Sequence, residues 1–134
     1  MKKRQVVITG AGASGLMAAI MAARKGAAVT VLEQNEKPGK KICATGNGRC
    51  NFSNLARPDD AYRGEHPEFA EDALVQFSVE DTIDFFREIG IYPLNRNGYL
   101  YPRSNQAQSV VDVLCMEAAS LGVKIKTNEQ VTEI

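Results

Sequence analysis

Glycine recurs in the six residues Gly10-Ala11-Gly12-Ala13-Ser14-Gly15 as G-x-G-x-x-G, and an acid, Glu33, follows 18 residues after the last of them. This combination suits the pyrophosphate and ribose of a dinucleotide. Gly10 permits a tight turn, Gly12 lacks the Cβ that would block the pyrophosphate, and Gly15 lets a helix pack close to a strand. Unpaired N–H groups at the start of that helix face the phosphate charge. Glu33 can accept hydrogen bonds from a ribose 2′- or 3′-hydroxyl, and it would repel a 2′-phosphate, which disfavours NADP.

These residues do chemistry only if a strand, a helix and a second strand hold them, and the flanking sequence supplies all three. Gln5 to Thr9 (QVVIT) is an apolar run fit for a buried parallel strand. Leu16 to Lys25 is rich in Ala, Met and Ile and reads as a helix closed by Gly26. Ala28 to Leu32 (AVTVL) is a second buried strand, so one βαβ unit fits in about thirty residues. Basic Lys2-Lys3-Arg4 followed by apolar and Ala-rich sequence has the outline of a secretory signal, but three glycines interrupt its core and a strand follows at once. The apolar run is also too short to cross a membrane.

Further on, Ser78 and Asp81 are spaced as a capping box, and Ile83, Phe86 and Ile89 share one face of a helix ending at Gly90. Asn97-Gly98 predicts a type I′ hairpin between Tyr92 and Tyr101. Ser104 or Asn105 caps a following helix that buries Val110, Val111, Leu114, Ala118 and Leu121 and closes at Gly122. Val123 to Lys126 is a further strand, and Val131 to Ile134 starts another. The sequence stops there without a closing helix, which predicts that residues 1–134 are the N-terminal portion of a truncated domain.

Between the second strand and the helical region, Asn35 to Arg63 is long, polar and rich in Gly and Pro, a length uncommon for a loop without function. It holds Lys37-Pro38-Gly39-Lys40-Lys41 and then Ala44-Thr45-Gly46-Asn47-Gly48-Arg49-Cys50-Asn51-Phe52-Ser53-Asn54. A segment so dense in donors and small residues can wrap a ligand, with Lys40 and Lys41 meeting phosphate or ribose. The two lysines read equally well as an exposed turn.

The run from Lys37 to Asn54 resembles the signature of a bacterial family of FAD-dependent oxidoreductases that includes aminoacetone oxidase and the BaiN-type flavoproteins, often described as NAD(FAD)-utilising dehydrogenases. The resemblance extends through Phe77 to Thr82 with Phe85-Phe86, through Gly98 to Ser104, and through Gly122-Val123 to Val131-Thr132-Glu133-Ile134. Its most specific part is TGNGRCN. It implies an α/β fold: a Rossmann-like FAD-binding domain of the glutathione-reductase type, three-layered around a parallel sheet and interrupted by a substrate or cap domain. It further implies that Ala13 and Ser14 approach the pyrophosphate, Glu33 holds the adenosine ribose, and Lys40 and Lys41 flank the nucleotide. Gly46, Gly48 and Asn51 would lie along the flavin side, and Val131 would pair with adenine through its backbone. The family's inserted domain and C-terminal FAD segment have no counterpart in this sequence, and apolar surface left bare by them predicts self-association.

Formal net charge is zero, yet Met1 to Cys50 carries nine Lys/Arg against two acids and Arg57 to Gly90 carries three against ten. A basic first third suits a phosphate-bearing ligand. The basic residues are neither massed on one helix nor interleaved with aromatics, which argues against nucleic acid as a partner. Three cysteines without framework spacing point to a reducing, cytoplasmic setting. Cys43 and Cys50 are spaced more widely than a redox pair and read as free thiols, and Cys115 reads as core. His66, the only histidine, reads as a surface residue, and no metal-ligand pattern appears. The chain therefore reads as the FAD-binding portion of an oxidoreductase acting on a small organic substrate, with oxygen or NAD(P)H as redox partner. A non-catalytic NAD- or nucleotide-binding module is the alternative.

Overall fold

The computed structural model describes residues 2–56 and 61–134. Three parallel strands form the main sheet in the order β1 (Gln5–Thr9), β2 (Ala28–Leu32), β6 (Lys124–Lys126). Gln5 aligns with Ala28 and Thr9 with Leu32, and Thr30 aligns with Lys124. Helix α1 (Ala13–Arg24) crosses over between β1 and β2, and α5 (Ala107–Ser120) packs on α1 and leads into β6. Leu16, Ala19 and Ile20 of α1, Val29 and Val31 of β2, and Val110, Leu114 and Ala118 of α5 make the core. This is a Rossmann-like α/β arrangement with a parallel sheet.

Both β1 and β2 are rich in β-branched residues, as expected for buried strands, but β1 buries only one face. Val6 and Ile8 pack toward α1, whereas Val7 is 65% exposed. No described element covers the opposite face.

Three helices end in the same way. Gly26, Gly90 and Gly122 have φ of +86°, +100° and +78°. After α1, Gly26 N–H donates to Ala23 O and Ala27 N–H to Ala22 O, a Schellman cap. The same pair of bonds closes α5 at Gly122 and Val123, and closes α4 (Val79–Glu88) at Gly90 and Ile91. The capping box of α4 forms as the spacing predicts: Ser78 Oγ accepts from Asp81 N–H, and the Asp81 carboxylate accepts from Ser78 N–H at 2.8 Å. The predicted hairpin also forms, with Asn97 and Gly98 both at positive φ between β4 (Pro93–Arg96) and β5 (Tyr99–Pro102).

Four expectations need correction. Helix α1 begins at Ala13, not Leu16, because Gly12 is its N-cap and Gly15 lies inside the first turn. On α4 the deepest residue is Phe85, 6% exposed, beside Phe86 and Ile89, since the Arg24 guanidinium of α1 lies over its ring while pairing with Glu88 and Glu117. Gln106, rather than Ser104 or Asn105, occupies the N-cap of α5, and Ser104 Oγ instead accepts from Gln106 N–H. Val131 to Ile134 is not a strand, because a strand exists only through its ladder and these residues find no partner among the described ones.

The long polar segment is not structureless. It contains α2 (Lys40–Ala44), a 3-10 turn (Thr45–Gly48) and β3 (Ser53–Asn54). Ile42 anchors α2, 5% exposed, and Gly39 lets α2 lie close to α5: a Cβ there would come within 2.6 Å of Val111. Strand β3 joins β5 and β4 in a small antiparallel sheet ordered β3-β5-β4. Arg57, at the start of the acidic segment, lies outside the described residues, as do the three residues after it.

Candidate functional site

The site is built on the turn from β1 into α1. Gly10, at φ +89°, donates its N–H to Leu32 O at 2.7 Å, which ties the turn to the end of β2. Gly15 packs against the backbone beneath, where a Cβ would overlap the Gly10 carbonyl oxygen. Gly12 is different. Its φ is an ordinary −83°, and a Cβ there would meet nothing within 4 Å. The fold itself does not require a glycine at 12, so the open space above it is what a Cβ would obstruct. No side chain caps α1 and no acid sits in its first turn, so its N-terminal N–H groups face that space.

Glu33 is the one buried charged residue among those described, 6% exposed at the end of β2. One oxygen, Oε2, accepts from Ala11 N–H at 2.7 Å. The other, Oε1, accepts from Asn35 N–H at 2.8 Å and from Asn35 Nδ2 at 2.6 Å. These bonds, Asn35 N–H foremost, outweigh desolvation and hold the carboxyl below its usual range. The carboxylate is thus held in the cleft wall by the N–H groups of Ala11, Gln34 and Asn35 and by the Asn35 side chain. Asn35 thus orients Glu33. The residue went unnoticed in the sequence, where the spacing Glu33-x-Asn35 was its only signal.

Two clefts meet over Gly12 and Lys41. The first, about 670 Å³, is floored by Gly10 to Gly12, with Glu33 to Asn35 on one wall and Lys40, Lys41 and Ala44 of α2 on the other. Glu129 and Val131 stand at its rim. Gly39 N–H donates to Ala11 O at 2.8 Å, so α2 and the glycine turn hold a fixed spacing. The second, about 660 Å³, runs past Ala13 and Ser14 to Thr45, Cys50, Asn51 and Phe52, and is lined by Phe77, Phe85 and Phe86. The fold therefore brings together Gly10, Gly12, Ala13, Ser14, Glu33, Lys40, Lys41, Asn51 and Val131 along one trough. Gly46 and Gly48 do not line it. They shape the turn beside it, where a Cβ on Gly46 would press on Asn51 N at 2.6 Å. The aromatic wall was not foreseen, because Phe52, Phe77, Phe85 and Phe86 are scattered in sequence and converge only when α4 folds back.

All three cysteines are free thiols. Cys43 Sγ donates to Gln108 Oε1 at 3.4 Å in a separate cleft that also holds Cys115, whereas Cys50 lines the trough. Burial pushes the Cys50 thiol up, against the thiolate a redox pair would use. His66 is exposed beside Glu68 at 3.1 Å. Among the described residues no helix is long and apolar enough to cross a membrane, and no group of three or more potential metal ligands occurs.

Comparison with known proteins agrees with this architecture. The chain is 50% identical over 129 residues to the 3-dehydro-bile acid delta(4,6)-reductase of Clostridium scindens, covering 95% of this chain and 32% of that protein. It is 33% identical over 135 residues to the ribosomal RNA dihydrouridine synthase of Escherichia coli, covering 100% of this chain and 34% of the relative. The chain thus spans about a third of the length of the curated relatives it matches. Among solved structures, the 3-ketosteroid-delta4-(5alpha)-dehydrogenase of Rhodococcus jostii superposes with a TM-score of 0.66 at 18% identity, over 96% of this chain and 38% of that one. The model of the HI0933-like protein Rossmann domain matches residues 4–134, and the chain belongs to that family.

Proposed function

We propose that this chain is the nucleotide-binding portion of an FAD-dependent oxidoreductase, and that the trough over Gly12 holds FAD. The observation that carries the reading is the bare space above Gly12, bounded by uncapped helix N–H groups and by the buried Glu33 carboxylate. In this reading the first cleft takes the adenosine, with Glu33 on the ribose and the Val131 backbone beside adenine. The N–H groups of Ala13 and Ser14 face the pyrophosphate, and Lys40 and Lys41 neutralise it from α2. Gly46 and Gly48 set the turn that carries Asn51 to the flavin side.

Bound FAD would supply hydride transfer between an organic substrate and a second redox partner, oxygen or NAD(P)H. The chain's own residues bind and orient it. The aromatic wall excludes water from one side of the trough. Two relatives that match this chain are named for a bile acid and for ribosomal RNA, so the likeness over this region does not by itself fix the substrate. The sequence favours a small organic molecule, a cytoplasmic setting and no nucleic acid partner. The bare face of β1 points to further segments of a longer protein, or to self-association in their absence.

The test is calorimetric titration of the apoprotein, made from the full-length gene product, with FAD, NAD and NADP. FAD should bind at least a hundredfold more tightly than either nicotinamide dinucleotide. Preference for NAD would favour the non-catalytic module.

A further inference from the structure

The Asn51 side chain is locked in a way that fixes its chemistry. Both hydrogens of Nδ2 are used on backbone carbonyls, those of Ser53 at 2.9 Å and Leu100 at 3.0 Å. Both partners are acceptors only, so the amide cannot be turned over without setting oxygen against oxygen. The clamp is rigid because the two carbonyls belong to neighbouring strands, with Ser53 aligned to Leu100 across β3 and β5. Leu100 is 2% exposed, and its carbonyl also accepts from Phe52 N–H at 3.0 Å. Asn51 stands at the border of the apolar second cleft and an adjoining one that holds Ser53, Asn54 and Ser78, and its Oδ1 has no donor among the described residues. What Asn51 offers at this border is therefore one preset acceptor.

We infer that Asn51 Oδ1 recognises a ring N–H of the flavin, an imide-type donor, and so selects for ring orientation. This rests on the proposal that FAD occupies the trough. The oxidised isoalloxazine carries a single N–H, at N3, so the assignment names both members of the pair. Asn51→Ala removes the acceptor, and methylation at N3 removes the donor. If the two act on one hydrogen bond, their effects do not add.

The experiment is a four-way comparison of dissociation constants, wild type and Asn51→Ala apoprotein of the full-length gene product, each with FAD and with N3-methyl-FAD. Melting temperatures serve as a check on folding. Wild type should bind N3-methyl-FAD about tenfold more weakly than FAD. Asn51→Ala should bind both flavins alike, near the weaker value. If wild type binds the two flavins equally, or if Asn51→Ala keeps the tenfold preference, the Asn51 assignment is overturned while the cofactor site stands. Should Asn51→Ala fail to fold, the wild-type comparison alone decides: no preference overturns the assignment, and a tenfold preference supports it. Failure of wild type to bind either flavin overturns the cofactor reading and this assignment with it.

Discussion

Gly12 and Gly15 lie three residues apart and have opposite reasons for being glycine. At Gly15 a Cβ would overlap the Gly10 carbonyl, backbone against backbone. Gly15→Ala should therefore cost stability, about 3 kcal/mol at the upper end of overpacking effects, and lower Tm by roughly 10 °C. At Gly12 the Cβ has room. Gly12→Ala should cost no more than about 1 kcal/mol as a poorer N-cap, yet weaken FAD at least tenfold. Thermal melts and flavin titrations of the two variants check this, and a Gly12→Ala protein with unchanged affinity would remove the pyrophosphate from the turn. Glu33 adds a pH dependence. Its carboxyl is held below the usual range by Asn35 and Ala11, so the charged form stabilises the fold fully above about pH 4.3, the unfolded value. That contribution is lost as pH falls through the lower folded value. The Tm deficit of Glu33→Gln relative to wild type should accordingly shrink in acid, and a deficit constant from pH 7 to pH 3 would count against it. Glu33→Ala should weaken FAD by ~1–3 kcal/mol, the range for a hydrogen bond to a charged group.

At the scale of elements, α2 and the 3-10 turn decide which thiols meet. Cys43 points to Gln108 of α5, whereas Cys50, on the far side of the turn, faces the trough. Cys43→Ser should leave flavin reduction kinetics nearly unchanged in stopped-flow measurements; a loss of ~100-fold, or ~2.7 kcal/mol of barrier, would restore a disulfide mechanism. The βαβ unit, the Asn97-Gly98 hairpin, the capping box and the three glycine-closed helices were legible in the sequence because each is a local rule acting over a few residues. The segment after β2 was not. Its α2 is held by one buried apolar residue, Ile42, and by a close approach at Gly39, and both depend on where α5 lies. Phe85 was misjudged on α4 for the same reason: the Arg24 guanidinium that covers it comes from a helix more than fifty residues earlier.

Across the whole molecule, the glycine turn, Glu33, Lys40 and Lys41 could be named from residue type and spacing and Asn51 from the family resemblance, and the fold brings them to one trough. Gly46 and Gly48 carried the right segment but not a place in its lining, since their role is to bend the chain. The aromatic wall could not be named, because it is assembled from three separate stretches. The same fold leaves apolar side chains bare: Val7 is 65% exposed on the open face of β1, and Phe69 and Val75 of α3 (Phe69–Gln76) are each 82% exposed. The 134-residue chain alone should self-associate as its concentration rises. Sedimentation velocity checks this, and a strict monomer at high concentration would contradict it. The central claim, that FAD is the resident cofactor, is tested most directly by what the native protein carries. Full-length gene product is purified and denatured, and the released small molecules are chromatographed. The account predicts FAD at about one per chain. Release of NAD, with no flavin taken up even on reconstitution, would contradict it.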